Sequence, residues 1–234
     1  MNEKHALKVS GIFAVLAPLM IVAAIPFSAA VRGFGGPGPI DFGDARVLEQ
    51  LSANQSAAIW VDIFALVGPT LALGAGFGWY LMLRRTSILA LYGVLLWYVG
   101  MVFVVAQDAL QLAFVTKIPA AYVAAGDASK ATVLAVGDIL AYTVEVLTFV
   151  GVVSHVGAFI VYLVSLRARS VPTWLAVSGL AASSVVIVST VLTAFVPDAP
   201  MLGIGMPIGL LAGIFLFFAW GILMMRWKEH GDAV

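Results

Sequence analysis

Six long runs of apolar residues occupy most of this chain, and short polar stretches separate them. A helix rises 1.5 Å per residue, so about 20 apolar residues cross the hydrocarbon core of a bilayer. Each run is at least that long. The pattern therefore predicts an all-α polytopic membrane protein, a single domain built as a bundle of six transmembrane helices. The predicted spans are residues 9–31, 57–83, 88–116, 131–166, 172–196 and 201–227.

The first run, residues 9–31, exceeds the roughly 7–15 apolar residues of a secretory signal, so we expect it to remain as a helix. The fourth run is longer than one bilayer requires. We expect its helix to project outside by several turns, with Asp127 as a candidate cap. The longest connection, residues 32–56, begins with glycines and prolines that predict turns. Asp44 is expected to cap a short helix in this loop, ending near Leu51.

The composition agrees with a lipid environment. Hydrophobic residues make up 62% of the chain and charged residues 10%, with a mean hydropathy of +1.08. Globular chains carry roughly 45–50% apolar and 25% charged residues. The zero net charge offers no footprint for nucleic acid, and the lack of cysteine excludes disulfides and thiolate metal sites. The sequence contains no HExxH, P-loop or GxSxG pattern, so we predict no cofactor, no metal and no catalytic residue.

Basic residues near the ends of the runs predict the orientation. Such residues stay in the cytoplasm, and eight lie in the turns on one side against four on the other. The chain is therefore predicted to be multi-pass in a bacterial or archaeal cell membrane, with both termini inside. Tryptophans near the same ends, including Trp79 and Trp174, suit the interfacial aromatic belt. The inner set is Lys4, Lys8, Arg84, Arg85, Arg167, Arg169, Arg226 and Lys228, and the outer set is Arg32, Arg46, Lys117 and Lys130.

Polar residues inside the second and third runs supply the first site candidates. Asp62 shares a helical face with small residues such as Ala58, so we expect it to face the bundle interior. Gln107 and Gln111 share a face of the third run, and Asp108 lies at the flank of that face. Ionisable residues within a span are functional candidates by default.

In the fourth run, Glu145 and His155 complete the candidates. Both are predicted to lie on one heptad-like seam, which collects most polar residues of that helix. The seam consists of Asp138, Ala141, Glu145, Thr148, Val152, His155 and Tyr162.

Distance from the inner basic residues estimates the depth of each candidate. Asp62, Gln107 and Glu145 each lie 22 residues from an inner arginine. That spacing corresponds to roughly 33 Å, the outer edge of a ~30 Å core. If their faces converge, these residues form an acidic vestibule open to the outside. His155 is 12 residues from Arg167, roughly 18 Å, which is near mid-bilayer.

Each candidate also has a simpler interpretation. The acids can be interfacial groups that touch water or headgroups, and His155 can be a core histidine bonded to a hydroxyl or carbonyl. Glycines spaced four apart have two interpretations as well. They let helices approach closely, either within one bundle, which we favour, or at a homo-oligomer or partner interface. These glycines are Gly74 and Gly78 in the second run and Gly205, Gly209 and Gly213 in the sixth.

Three short features carry a family resemblance. Gly43-Asp44-Ala45 precedes a short helix and the second span, and Arg84-Arg85 closes that span. Val171-Pro172-Thr173-Trp174-Leu175 follows the basic turn after the fourth run. With these features the chain resembles the bacterial family called domain of unknown function 4386, whose members also have about six spans. Family members tend to carry arginine where Thr173 stands. The family has no established activity, so the resemblance implies an architecture and no site residue.

Three functions stay open at this point. The first is a small transporter or permeation unit for a proton, cation or small amine, using the acidic cluster. The second is a non-catalytic membrane subunit, such as a sensor or assembly partner, which packs through its glycine faces. The third is an intramembrane enzyme acting on a lipid. We rank it last, because the estimated depths separate His155 from the acids and general acid–base groups must reach one substrate.

Overall fold

A computed structural model describes residues 2–32, 42–195 and 202–227. All the regular secondary structure within these ranges is helical. The helices are α1 (Glu3–Arg32), α2 (Ala45–Ala53), α3 (Gln55–Leu83), α4 (Leu89–Ala124), α5 (Asp127–Gly151), α6 (Val153–Ser165), α7 (Thr173–Phe195) and α8 (Leu202–Met225).

Most of these helices are suited to a bilayer. Five stretches have the length and apolar composition to cross a membrane, and α8 contributes a shorter apolar stretch, Leu211–Met225. The chain is thus an all-helical, multi-pass membrane protein in character, as its hydropathy predicts. The five stretches are Glu3–Ser28, Gln55–Leu83, Leu89–Ala124, Asp127–Ser165 and Thr173–Thr193.

Two helices extend beyond their apolar runs. The third run ends at Thr116, but α4 continues to Ala124 and contains Pro119. The fourth run starts at residue 131, but α5 starts at Asp127, which lies in the first turn instead of capping it. Hydrogen bonding along a helix does not require apolar side chains, so charged residues end a hydropathy pattern without ending the helix. Only Val152 separates α5 from α6.

The short helix α2 is capped and amphipathic. The side chain of Asp44 accepts a hydrogen bond from the backbone N–H of Arg46, at 2.8 Å, as an N-cap residue does. Leu48 and Leu51 are buried on the inner side of α2. They share a core cluster with Phe42, Ala58, Val115 and Tyr122.

The helices divide into two compact units. Unit 1 consists of Met1–Leu19, Gly68–Met101 and Val152–Val234, and unit 2 consists of Met20–Val67 and Val102–Gly151. Several helices therefore contribute one part to each unit.

Unit 1 is built around Trp79, which is completely buried. The ring of Trp97 lies 5.0 Å from it, and the rings of Phe217 and Trp220 lie 5.3 and 6.0 Å away, all with edge contacts. Edge-to-face pairs add to the free energy gained by burying aromatic area. The sequence-based expectation that Trp79 belongs to an interfacial belt is wrong, because its ring fills the core of this unit.

Small residues bring helix backbones together in unit 1. On α4, Gly100 leaves no room for a side chain, since an added Cβ would lie 2.6 Å from the Cα of Ser154 on α6. A Cβ on Gly157 of α6 would lie 2.5 Å from the carbonyl oxygen of Gly93. The α4–α6 pair is therefore a close crossing that depends on glycine on both helices.

The other glycine faces also serve packing within unit 1. Gly74 of α3 lies against Phe13, and Gly78 lies against Ser10 and Met224. Gly209 of α8 lies against Val186 of α7. Packing within the bundle, the interpretation we favoured, is confirmed for these three glycines. An added Cβ on Gly213 would meet no atom within 4 Å, and the surroundings of Gly205 lie outside the described residues.

In unit 2 Phe42, which precedes α2, packs on α5. Gly137 lies against the carbonyl group of Phe42, so any side chain at position 137 would displace Phe42. Phe42 is completely buried, and its ring meets that of Phe114 edge-on at 5.9 Å.

Gly157→Ala should destabilise the protein by about 1–3 kcal/mol, the usual cost of overpacking. The new methyl group would meet backbone atoms of Gly93 and Trp97, which a rotamer change cannot move. Gly213→Ala is the matched control, because its methyl group would enter open space. Equilibrium unfolding in mixed micelles measures both. Equal stability of the two variants would contradict the close α4–α6 crossing.

Asp44→Ala should loosen α2, whereas Asp44→Asn should keep the cap and lose only the ion pair with Arg46. The hydrogen bond from the Arg46 side chain holds the pKa of Asp44 below its ordinary value of 3.8. The stabilising charge is therefore present above that value and lost as the pH falls below it. Hydrogen exchange of the α2 amides measures the effect. Protection that is unchanged in the Ala variant would rule out a role for the cap.

Candidate functional site

A buried carboxylate and a buried amide form the centre of the candidate site. Asp62 on α3 is 1% exposed and Gln111 on α4 is 7% exposed. The Nε2 atom of Gln111 donates to Oδ1 of Asp62 at 2.7 Å. Both residues belong to unit 2. The prediction that Asp62 lies on a close-packed face is confirmed, since Ala58 and Ala72 of that face are also buried.

One turn before Gln111 on α4, Gln107 contacts α5. The hydroxyl of Thr148 lies 2.9 Å from Oε1 of Gln107 and 2.8 Å from the carbonyl oxygen of Val144. A hydroxyl has one hydrogen to donate, so the two acceptors share it. The two glutamines, four residues apart on one face, therefore join α4 to a different helix each.

Asp108 stands beside this pair of contacts. It is half-buried and lies within electrostatic range of Asp62. Two carboxylates at such range repel each other when both are ionised. Binding one proton or cation relieves this repulsion and therefore stabilises the pair. The sequence placed Asp108 at the flank of the glutamine face, which agrees with its partial exposure.

Glu145 does not join the other acids. Its side chain is exposed, while the preceding residue, Val144, is 1% exposed. The buried residues of α5 are Gly137, Val144 and Gly151, seven apart. The buried seam thus lies one residue before the seam predicted from the polar positions, a rotation of about 100° on a helix. The seven-residue spacing of Gly137, Val144 and Gly151 in the sequence was the signal that could have located the buried seam.

His155 belongs to unit 1, whereas the acids belong to unit 2. It is half-buried near the start of α6, and its backbone N–H donates to the carbonyl of Val152 at 2.9 Å. The candidate site therefore consists of Asp62, Asp108, Gln107 and Gln111, with Thr148 added by the structure. Thr148 was on the predicted seam, but its position in the chain does not connect it with Gln107.

The chemistry of this polar cluster is that of oxygen donors. Two carboxylates and two amide groups suit a proton, a small hard cation or an ammonium group. Within the described ranges, no group of three or more His, Cys, Asp or Glu residues is close enough to hold a metal ion.

The chain was compared with known protein families, curated proteins and solved structures. A family model described as domain of unknown function (DUF4386) matches residues 10–227, which include every residue of the cluster. This match confirms the family resemblance of the short motifs. Neither the curated proteins nor the solved structures contain a match to the chain.

Gln111→Leu should destabilise the protein by about 1–3 kcal/mol, because it removes the amide that donates to a buried carboxylate. A double-mutant cycle with Asp62→Leu should give a coupling free energy of about 0.5–3 kcal/mol. Equilibrium unfolding of the four proteins measures the cycle. A coupling of zero would mean that the Asp62–Gln111 hydrogen bond contributes nothing to stability.

Proposed function

Given that the chain belongs to the DUF4386 family, we propose that it is a six-span transporter or permeation unit for protons, small cations or small amines. Asp62 is the principal binding group, and Asp108, Gln107 and Gln111 complete the site. The observation that carries the proposal is a carboxylate, 1% exposed, within the apolar helix α3. The free-energy cost of burying an ionised carboxylate is greatest in hydrocarbon, where water cannot solvate the charge.

The surroundings of Asp62 support reversible binding. One oxygen of the carboxylate accepts from Gln111, a neutral donor. This contact orients the carboxylate without neutralising its charge, which suits reversible binding of a cation or proton.

The glutamines provide a path on α4. Gln107 and Gln111 lie one turn apart on one face, and an amide group both donates and accepts hydrogen bonds. Asp108 is partly exposed beside them, so it serves as the first group that an arriving cation meets. The cation then moves to Asp62, whose burial excludes water.

The orientation is part of the same proposal. Both termini lie in the cytoplasm of a cell-membrane protein, and the polar cluster opens toward the outside. The inner excess of lysine and arginine in the sequence supports this direction. Uptake would then start from the outer face.

Asp62→Asn should reduce cation-driven or pH-driven flux in proteoliposomes to the level of protein-free vesicles. Asparagine has nearly the same shape and can accept from Gln111, so the fold should survive while the charge is lost. Glu145→Gln is the matched control, because it removes an exposed acid outside the cluster and should leave the flux at the parent level.

Melting curves of both variants check the fold. If Asp62→Asn melts like the parent protein and transports as fast, the proposed function is wrong. If Glu145→Gln loses flux as completely as Asp62→Asn, the assignment of the site is wrong.

A partner-binding role is the second candidate, and one observation favours it. Gly213 of α8 has no neighbouring atom for an added Cβ, and Phe215 is 74% exposed. A second copy or another membrane subunit could pack there through small and aromatic residues. In that case the protein itself moves no cation, and the flux measurements above separate the two roles.

A further inference from the structure

In the described part of unit 1 the charged residues are almost all basic. Its described residues contain seven lysines and arginines but a single carboxylate, Glu3. Glu3 pairs with Arg84 at 2.6 Å, and the described part of unit 1 has no second acid for the other six cations. Unit 2 has the opposite balance, with four basic and seven acidic residues in its described part.

These cations border one hydrophobic core. Each lies within three residues of a completely or nearly buried residue, and those buried residues belong to one hydrophobic cluster. Leu7 precedes Lys8, Leu83 precedes Arg84, and Ala168 lies between Arg167 and Arg169. We call this set the basic rim: Lys4, Lys8, Arg84, Arg85, Arg167, Arg169 and Arg226, all exposed.

Direct contacts support the same arrangement. The Glu3–Arg84 ion pair joins the start of α1 to the turn that follows α3. Gly11 of α1 lies so close to α8 that an added Cβ would be 2.8 Å from Cγ of Met225, the residue before Arg226. The start of α1 and the ends of α3 and α8 therefore meet at the rim.

Exposed apolar residues lie within five residues of the rim cations in sequence. Ile88 follows Arg85 and is 66% exposed, while Trp174 follows Arg169 and is 60% exposed. Leu166, beside Arg167, is 43% exposed. A partner for this surface must carry negative charge at one level and be apolar immediately beside it. Exposed tryptophan beside lysine and arginine is the usual arrangement at the headgroup level of a bilayer.

We propose that the basic rim binds the phosphodiester groups of anionic phospholipids. The cations contact the headgroup phosphates, Trp174 lies at the interface, and the neighbouring apolar residues contact the acyl chains. An acidic protein surface would match the charges but would leave the exposed isoleucine, leucine and tryptophan without an apolar partner. A bilayer lipid supplies both chemistries in one molecule.

Arg167→Gln/Arg169→Gln tests the proposal with a short-chain phosphatidylglycerol titrated into the purified protein in a neutral detergent. Binding is read from the shift in melting temperature, at low and high salt. The parent protein should bind phosphatidylglycerol more tightly than phosphatidylcholine, and salt should weaken the binding. The double variant should lose about fivefold in affinity for each cation removed.

Three controls make the outcome decisive. Arg46→Gln/Lys117→Gln makes the same charge change on exposed residues of unit 2 and should bind like the parent. Arg167→Lys/Arg169→Lys keeps the charge and should also bind. Inorganic phosphate at equal concentration should give no shift, since it lacks acyl chains.

Several results would overturn the proposal. They are parent-like affinity in the rim variant, an equal loss in the unit 2 control, an equal shift with phosphatidylcholine and an equal shift with free phosphate. A rim variant that melts like the parent without lipid shows that the fold is intact. If it melts lower, the test uses the Arg167→Lys/Arg169→Lys variant, which keeps the charge. Loss of its preference for phosphatidylglycerol over phosphatidylcholine would count against the proposal.

Discussion

The lack of water around the spans is the constraint on which the rest of this structure depends. In hydrocarbon, each polar group must find its partner within the protein. One carboxylate oxygen of Asp62 meets that requirement with Gln111, and Gln107 does so with Thr148. In lipid, no hydrophobic effect drives helices together, so their association depends on close packing. Gly93, Gly100 and Gly157 allow such packing, because they place one helix backbone directly against another. The buried polar contacts lie in unit 2 and the close α4–α6 crossing lies in unit 1, and both are responses to the same solvent.

The two units differ in the chemistry of their residues. Unit 1 has an aromatic core around Trp79, close glycine crossings and a rim of cations. Such a body suits a rigid anchor at a charged membrane surface. Unit 2 contains most of the described acids and the buried amide contacts. Its α2 helix covers part of its core through Leu48 and Leu51. The groups proposed to bind a mobile cation therefore lie in a different unit from those proposed to bind lipid.

Hydropathy predicted the helices well, because a long apolar stretch has few alternatives to a helix in a membrane. It also predicted that Asp62 is buried, since small residues at helical spacing mark the close-packed face. The prediction that Glu145 faces the bundle interior was wrong. It relied on the polar residues of α5, whereas the buried residues are Gly137, Val144 and Gly151, which lie one position earlier. The prediction for Trp79 was wrong too, because position near a span end does not distinguish a core ring from an interfacial one. The contact between Gln107 and Thr148 depends on how α4 and α5 are rotated, which one sequence does not specify.

The central claim is that Asp62 is an ionisable group buried in the apolar part of the protein and able to exchange its proton. Carbodiimide labelling in native membranes, mapped by mass spectrometry, tests this claim most directly, because carbodiimides react with protonated carboxyl groups. An apolar carbodiimide should modify Asp62 increasingly as the pH falls, while a water-soluble carbodiimide should modify the exposed Glu145 and spare Asp62. Equal modification of Asp62 by the water-soluble reagent, or no modification by either at any pH, would contradict the account.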